Sequence, residues 1–348
     1  MTMVIMYPYT HDVKNIPVFL YLVIIFQIFF IAPRIRCEEN PAPPKKGFPY
    51  TFSVTPIVGL LYGQGKEIVY KDNYNDSYLS ELKWDIKSLV YFGSTLDVFR
   101  TNPREKPGFA GSLSMKFGLP MGTGLMEDRD WDPKYKPDGS VSHFSSSAAQ
   151  IDTAYMLDLL AGASLPLRSG IVVFNPYLGL SYMRFKWAAY NGYYDYTLEN
   201  GDQKQGTFTG LAVAYSQDWL LFFAGLSASF YVLPKTAITV SFQGSPLISY
   251  TGEDDHYMRT GSSDPGQFRD RIETGVYLEP GLKFVYSPTE RLSVGFNMSW
   301  RYIQGRPHGH AYGRPTGQDK EGRFLALGSV SGAEFQALDT GISFTIRF

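Results

Sequence analysis

The sequence has a single cysteine, Cys37, in 348 residues. One thiol cannot close an internal disulfide, so no cystine framework holds this fold. Charge imbalance is also missing: 32 Lys and Arg against 33 Asp and Glu leave a net charge of -1. That balance offers nothing to a polyanion, and no nucleic-acid partner is expected. Long apolar runs are nearly absent. A spanning helix needs about 20 apolar residues, and only residues 16–32 (IPVFLYLVIIFQIFFIA) come near that. What is plentiful is 25 Tyr, 25 Phe and 34 Gly. A chain too polar to span as helices, yet rich in aromatics, suits a barrel with lipid outside and polar side chains inside.

The N-terminus reads as an export signal. Lys14 precedes the apolar run, Gln27 interrupts it, and Arg34 and Arg36 follow. Positive charge before a short apolar run is the order of a signal peptide, and a single anchoring helix is the other reading. A signal is expected over 1–37, with no small-x-small site to mark the cut. Arg34-Ile35-Arg36 is a poor context for lipidation of Cys37. Residues 38–48 are rich in Pro and charge and read as a flexible tether. The barrel is expected over 49–348.

From Tyr50 onward the main signal is alternation with period two, as in strands whose side chains point to opposite faces in turn. Leu292, Val294, Phe296, Met298, Trp300 and Tyr302 alternate with Ser293, Gly295, Asn297, Ser299 and Arg301. Ile342, Phe344, Ile346 and Phe348 alternate with Gly341, Ser343, Thr345 and Arg347. Sandwich strands usually run about 5–6 residues, and these runs are far longer. Short turns are expected at 100–107, 166–170, 233–236 and 287–291. Long polar loops are expected at 71–80, 122–149, 191–206, 253–271 and 305–328. The result is an all-β transmembrane antiparallel barrel of about ten strands, with short periplasmic turns and long extracellular loops. Ten strands make a poor open channel, since aqueous pores need about 16–18.

Two acidic clusters stand out: Met126-Glu127-Asp128-Arg129-Asp130-Trp131 and Gly252-Glu253-Asp254-Asp255-His256-Tyr257. If Leu113, Met115, Phe117, Leu119 and Met121 face lipid, strict alternation turns Met126, Asp128 and Asp130 inward. Two inward carboxylates at i and i+2 repel, which suits holding a proton or a water. With Phe52, Val58, Leu60 and Tyr62 outward, Glu67 turns inward. The run at 238–250 is less cooperative. Ile238, Val240, Phe242, Ile248 and Tyr250 outward would send Asp254 and His256 outward too, leaving Glu253 and Asp255 inside. One extra residue in a bulge at Gly244, Pro246 or Gly252 would reverse this, and parity does not choose. Each cluster alone also fits a solvated acidic loop.

Together the clusters carry a resemblance. Glu67-Ile68-Val69-Tyr70, Leu79-Ser80-Glu81-Leu82-Lys83-Trp84, the stretch at 126–131, Asp254-Asp255-His256-Tyr257 and Asp264-Pro265-Gly266 occur in order. In these motifs the chain from about Phe52 to Phe348 resembles the omptin family of outer-membrane aspartyl endopeptidases. The resemblance implies a site at the extracellular end of the barrel, in the outer membrane of a Gram-negative (diderm) bacterium. It implies catalysis by Asp128 and Asp130 opposite the dyad Asp254 and His256, and substrate binding by Glu67 and Met126. It implies peptide or protein substrates with basic residues, no metal, and a monomer. It also implies contact with outer-membrane lipid, lipopolysaccharide or a similar glycolipid, through Arg184.

Two positions depart from the family pattern. Gly252 stands where the family has a second pocket acid, which leaves basic specificity weakened or rebuilt. Asp218 stands where a second lipid-binding base belongs, and a carboxylate there would repel lipid phosphates. A barrel adhesin with marginal proteolysis is the alternative that these two departures favour.

Overall fold

The computed structural model describes residues 49–71, 78–167, 170–258, 265–315 and 324–348. The expected signal and tether at 1–48, Cys37, and Asp264 lie outside the described residues. Twelve strands follow in order: β1 (Tyr50–Tyr70), β2 (Tyr78–Arg100), β3 (Gly108–Gly118), β4 (Met121–Asp130), β5 (His143–Leu167) and β6 (Val172–Thr197). Then come β7 (Gln203–Leu233), β8 (Thr236–His256), β9 (Pro265–Ile272), β10 (Gly275–Tyr286), β11 (Leu292–Pro315) and β12 (Leu325–Arg347).

β1 pairs antiparallel with both β2 and β12, so the ladder returns to its start and the sheet is closed. β3 and β4 both lie between β2 and β5, one beyond the other. β9 and β10 likewise share the place between β8 and β11. Twelve segments therefore make a ring of ten positions, every pair antiparallel. Closure is what lets a sheet cross lipid, because an open edge would leave backbone donors and acceptors unmet.

The outer face of the turn-proximal half is apolar. Phe52, Val58, Leu60 and Tyr62 on β1, and Leu292, Val294, Phe296, Met298 and Trp300 on β11, are all exposed. Between them Ser53, Ser293 and Ser343 are buried in the interior. This is the alternation of a lipid-facing wall around a polar lumen.

Short connections join β2 to β3, β5 to β6, β7 to β8 and β10 to β11 at one end. The expected long loops at the other end are largely strand, which is a correction. β4 runs on to Asp130 and β5 starts at His143; only residues 198–202 join β6 to β7; β8 continues to His256 and β11 to Pro315. The reason is physical. Above the bilayer both faces of a strand meet water, so polar residues occupy both and the period-two signal fades. The backbone ladder of the closed ring continues regardless. β7, at 31 residues, is about three times the length a membrane needs.

Mid-height, the lumen is filled. Trp84, Trp187, Trp219, Tyr215, Tyr250, Phe185 and Phe335 are fully buried. Trp84 stacks on Tyr215 with centroids 5.6 Å apart, and Trp187 on Phe185 at 5.5 Å. Toward the turns, buried charges are paired: Arg301 Nε donates to Glu279 Oε2 at 2.6 Å, and Lys116 bonds Asp339. This packed layer separates a basin at the turn end, about 1140 Å³, from a smaller cavity at the loop end.

Candidate functional site

The inward placement of Asp128 and Asp130 rests on two irregularities that cancel. Met115 and Phe117 face lipid, as strict alternation requires. After the break at Leu119-Pro120, however, Met121 packs against the core and Thr123 is buried, so the faces have exchanged. The expectation that Met121 faces lipid is thus corrected. The β4–β5 register then shifts between Gly122 and Gly124. Gly124 has φ 126, where a Cβ would meet the Asp85 side chain at 2.8 Å. Thr123, left without a register partner between Gly122 and Gly124, is the extra residue and exchanges the faces again. Leu125 points out, and Met126, Asp128 and Asp130 point in.

β8 carries one irregularity, and it does not cancel. Phe222 pairs with Leu247 and Ala224 with Gly244, so Ser245 and Pro246 oppose Phe223 alone. Val240, Phe242 and Leu247 are exposed, whereas Ile248, Tyr250 and Asp254 are buried. A bulge of one residue has moved the even positions inside, so the expectation that Ile248 and Tyr250 face outward is corrected. Proline suits it, because a bulge residue need not donate to the ladder. Outside, Glu253 pairs instead with Arg269 of β9 at 2.7 Å.

These elements converge on the loop-end cavity, about 330 Å³, lined by Glu67, Asp128, Asp130, Asp254 and His256 among others. His256 Nε2 lies 2.5 Å from Asp254 Oδ2. The Asp254 carboxylate is 4% exposed, and the His256 ring meets Phe268 edge-on at 5.4 Å. Among the described residues the imidazole is held by one hydrogen bond and one ring contact, which leaves Nδ1 for other chemistry. Glu67, Leu82 and Asp128 stand in one register row across β1, β2 and β4, and Asp130 pairs with His143 of β5. Met126 sits one step deeper, buried in the aromatic layer rather than in the cavity wall. Among the described residues no group of three His, Cys, Asp or Glu is arranged to hold a metal ion.

One acid was not singled out from sequence. Asp270 of β9 lines the same cavity and is 4% exposed. Burial first, and then the neighbouring Asp254 charge, hold its carboxyl well above the usual carboxylate range, against the opposing influence of Ser331 and Glu67 beside it. A signal did exist: Phe268 and Ile272, two residues to either side, are apolar and turned inward. His143 also reaches the wall, where Nδ1 meets Ser142 Oγ at 3.0 Å and the ring sits edge-on to Tyr135 and Tyr196.

Arg184 faces outward on β6, between buried Met183 and Phe185. Asp218 of β7 is its register partner and also faces outward, between buried Gln217 and Trp219. The two form an ion pair at 3.2 Å, and Tyr182 donates its hydroxyl to the same carboxylate at 2.6 Å.

The family model of the Omptin family matches residues 48–348. The crystal structure of the outer membrane protease OmpT from Escherichia coli superposes with a TM-score of 0.71 at 18% identity, covering 86% of this chain and 99% of that one. At that identity the likeness shows the fold alone. The toluene transporter TodX of P. putida matches at a TM-score of 0.29 and 9% identity, over 88% and 91% of the two chains, and carries no argument. A search among curated proteins finds no significant match. Since the matched span takes in the whole barrel, the chain belongs to the Omptin family.

Proposed function

We propose that this chain is an outer-membrane endopeptidase, open to the extracellular side, that cleaves surface-accessible peptides beside Lys or Arg. The observation that carries this reading is the buried Asp254–His256 hydrogen bond of 2.5 Å on the wall of a cavity shared with Asp128 and Asp130. In the mechanism, a water sits between the two pairs. His256 takes its proton at Nδ1 while Asp254 holds Nε2 and stabilises the imidazolium. The hydroxide attacks the scissile carbonyl, and His256 then gives its proton to the departing amine nitrogen as the C–N bond breaks. Asp128 and Asp130 orient the water, and a proton held between them can be donated toward the developing oxyanion. No covalent acyl-enzyme forms. Family membership and the likeness to a solved outer membrane protease support the reaction class.

The lipid side of the reading is narrower than the family pattern. Arg184 remains a lipid contact, but its charge is already met by Asp218. Dependence on lipopolysaccharide is accordingly reduced.

The test is a quenched fluorogenic dibasic peptide with protein refolded in detergent, with and without lipopolysaccharide. Cleavage by the wild type, and its loss in Asp254→Asn and His256→Ala, is the expected result. Cleavage that survives both substitutions would sink the dyad assignment. The second reading, a barrel adhesin, draws on Gly252 and Asp218; binding to host-matrix proteins with no cleavage under any lipid condition would favour it.

A further inference from the structure

Gly252 and Asp270 are direct register partners across β8 and β9. At Gly252 there is no room for a side chain, since a Cβ would meet the Tyr250 hydroxyl at 2.1 Å. The carboxylate absent from β8 is therefore found one strand over, where Asp270 points into the cavity beside Glu67. Both are at least nine-tenths buried, at 4% and 6% exposed. Asp270 and Glu67 stand beside each other in that wall. Two neighbouring buried carboxyls repel when both are ionised, which favours one proton held between them.

An acidic cluster alone would say little. What points to a cation is the charge balance around this one. Facing the pair are Asp254 and His256 of β8, the phenols of Tyr215 and Tyr250, and, across the cavity, Asp128, Asp130 and His143. Among the described residues no Lys or Arg forms an ion pair with Asp270. The polar groups that bear on it among the described residues are Asp254, Ser331 and Glu67. A buried carboxyl without a countercharge is costly unless it stays protonated or a cation arrives.

We propose that Asp270 is a specificity-determining residue: with Glu67 it forms a carboxyl pair that holds one proton in the free protein and releases it to solvent when the cationic side chain of a substrate enters. This inference deepens the peptidase reading and rests on it for the identity of the ligand. The basic pocket is rebuilt on β9, and Gly252 marks the site of the exchange rather than a loss. Lowering the pH opposes proton release, so KM for basic peptides rises as the medium is acidified.

The experiment uses two peptides that differ only at the residue before the scissile bond, Arg in one and citrulline in the other. Cleavable and N-methylated, uncleavable versions of each are made. Asp270→Asn keeps size and hydrogen bonding. It is expected to raise KM for the Arg peptide about tenfold or more, the loss of one charge-assisted bond, with kcat retained and the citrulline peptide unaffected. An unchanged Arg-to-citrulline preference overturns the inference. Calorimetry of the wild type with the uncleavable Arg peptide, in two buffers of different ionisation enthalpy, needs no variant and is expected to show release of about one proton. No proton release, or no preference for Arg over citrulline in binding, also overturns it. If the wild type cleaves nothing but still binds the uncleavable Arg peptide through Asp270, the peptidase reading falls and this inference stands.

Discussion

Asp218 and Arg184 face each other across β7 and β6 on the outside of the barrel, with guanidinium and carboxylate 3.2 Å apart. Both are partly exposed, so the pair contributes less than about 1 kcal/mol to stability. Its effect on ligands is larger. A lipid phosphate that approaches Arg184 must displace a carboxylate already hydrogen-bonded by Tyr182.

From this arrangement Asp218→Asn is predicted to free Arg184 for phosphate. One charge-assisted hydrogen bond gained implies about tenfold tighter binding of lipopolysaccharide. A titration of lipopolysaccharide against peptidase activity, or against intrinsic fluorescence, reads the change. If the wild type already responds at the same concentrations as the variant, Asp218 does not oppose lipid binding.

The bulge at Ser245-Pro246 makes a second prediction. Deleting Ser245 restores strict alternation along β8 and turns Asp254 and His256 toward the outside. Activity is expected to vanish while the barrel still forms, seen as an unchanged shift in gel mobility on heating. Compensation at the distal end of β8 would show as retained activity and would mean that the loop-end strands re-register freely. The paired deletion of Ser245 and Thr251 returns the dyad to its face and is expected to regain part of the activity.

For the dyad itself, His256→Ala removes the base and Asp254→Asn its anchor. Each is expected to lower kcat by about 10²–10⁴-fold with little change in KM, because neither residue grips the substrate side chain. Glu67→Gln should do the reverse, raising KM for basic peptides and sparing kcat. Steady-state kinetics on one peptide series separates the two behaviours. An equal loss of kcat in all three would mean that Glu67 is part of the reacting centre.

The turn-proximal half of this barrel is legible in the sequence because lipid imposes a rule there. Residues such as Phe296 and Met298 must be apolar, and Ser293 and Asn297 between them need not be. Where the rule lapses, reading by parity depends on luck. Asp128 came out inward because the break at Leu119-Pro120 and the extra residue at Thr123 cancel. Asp254 came out ambiguous because Ser245-Pro246 stands alone. Asp270 was missed because it lies beyond the 257–264 connection, which hides the register between β8 and β9. Only pairing to Gly252 reveals which cavity its carboxyl enters. Arg184 was legible as an outward base, but the Tyr182 hydroxyl bond that helps hold Asp218 was not.

The polar lumen below the aromatic layer yields the last prediction. Arg301 is nearly fully buried, bonds Glu279 at 2.6 Å and approaches Asp158 at 3.6 Å. Tyr277 donates to the same Glu279 oxygen at 2.7 Å. Replacing Arg301 by Met removes the cation bonded to Glu279 and leaves Glu279 and Asp158 only the weaker influence of Lys116 inside the barrel. Breaking a buried pair in this way costs about 3–5 kcal/mol, whereas replacing both partners by apolar residues is close to neutral. Urea unfolding in phospholipid vesicles should therefore place Arg301→Met far below the wild type and the double variant Arg301→Met, Glu279→Leu well above the single one. The single variant unfolding like the wild type would mean that water reaches Glu279 and screens it. That would contradict a lumen closed by Trp84, Trp187 and Tyr215, and would reopen the question of a solute path through the barrel.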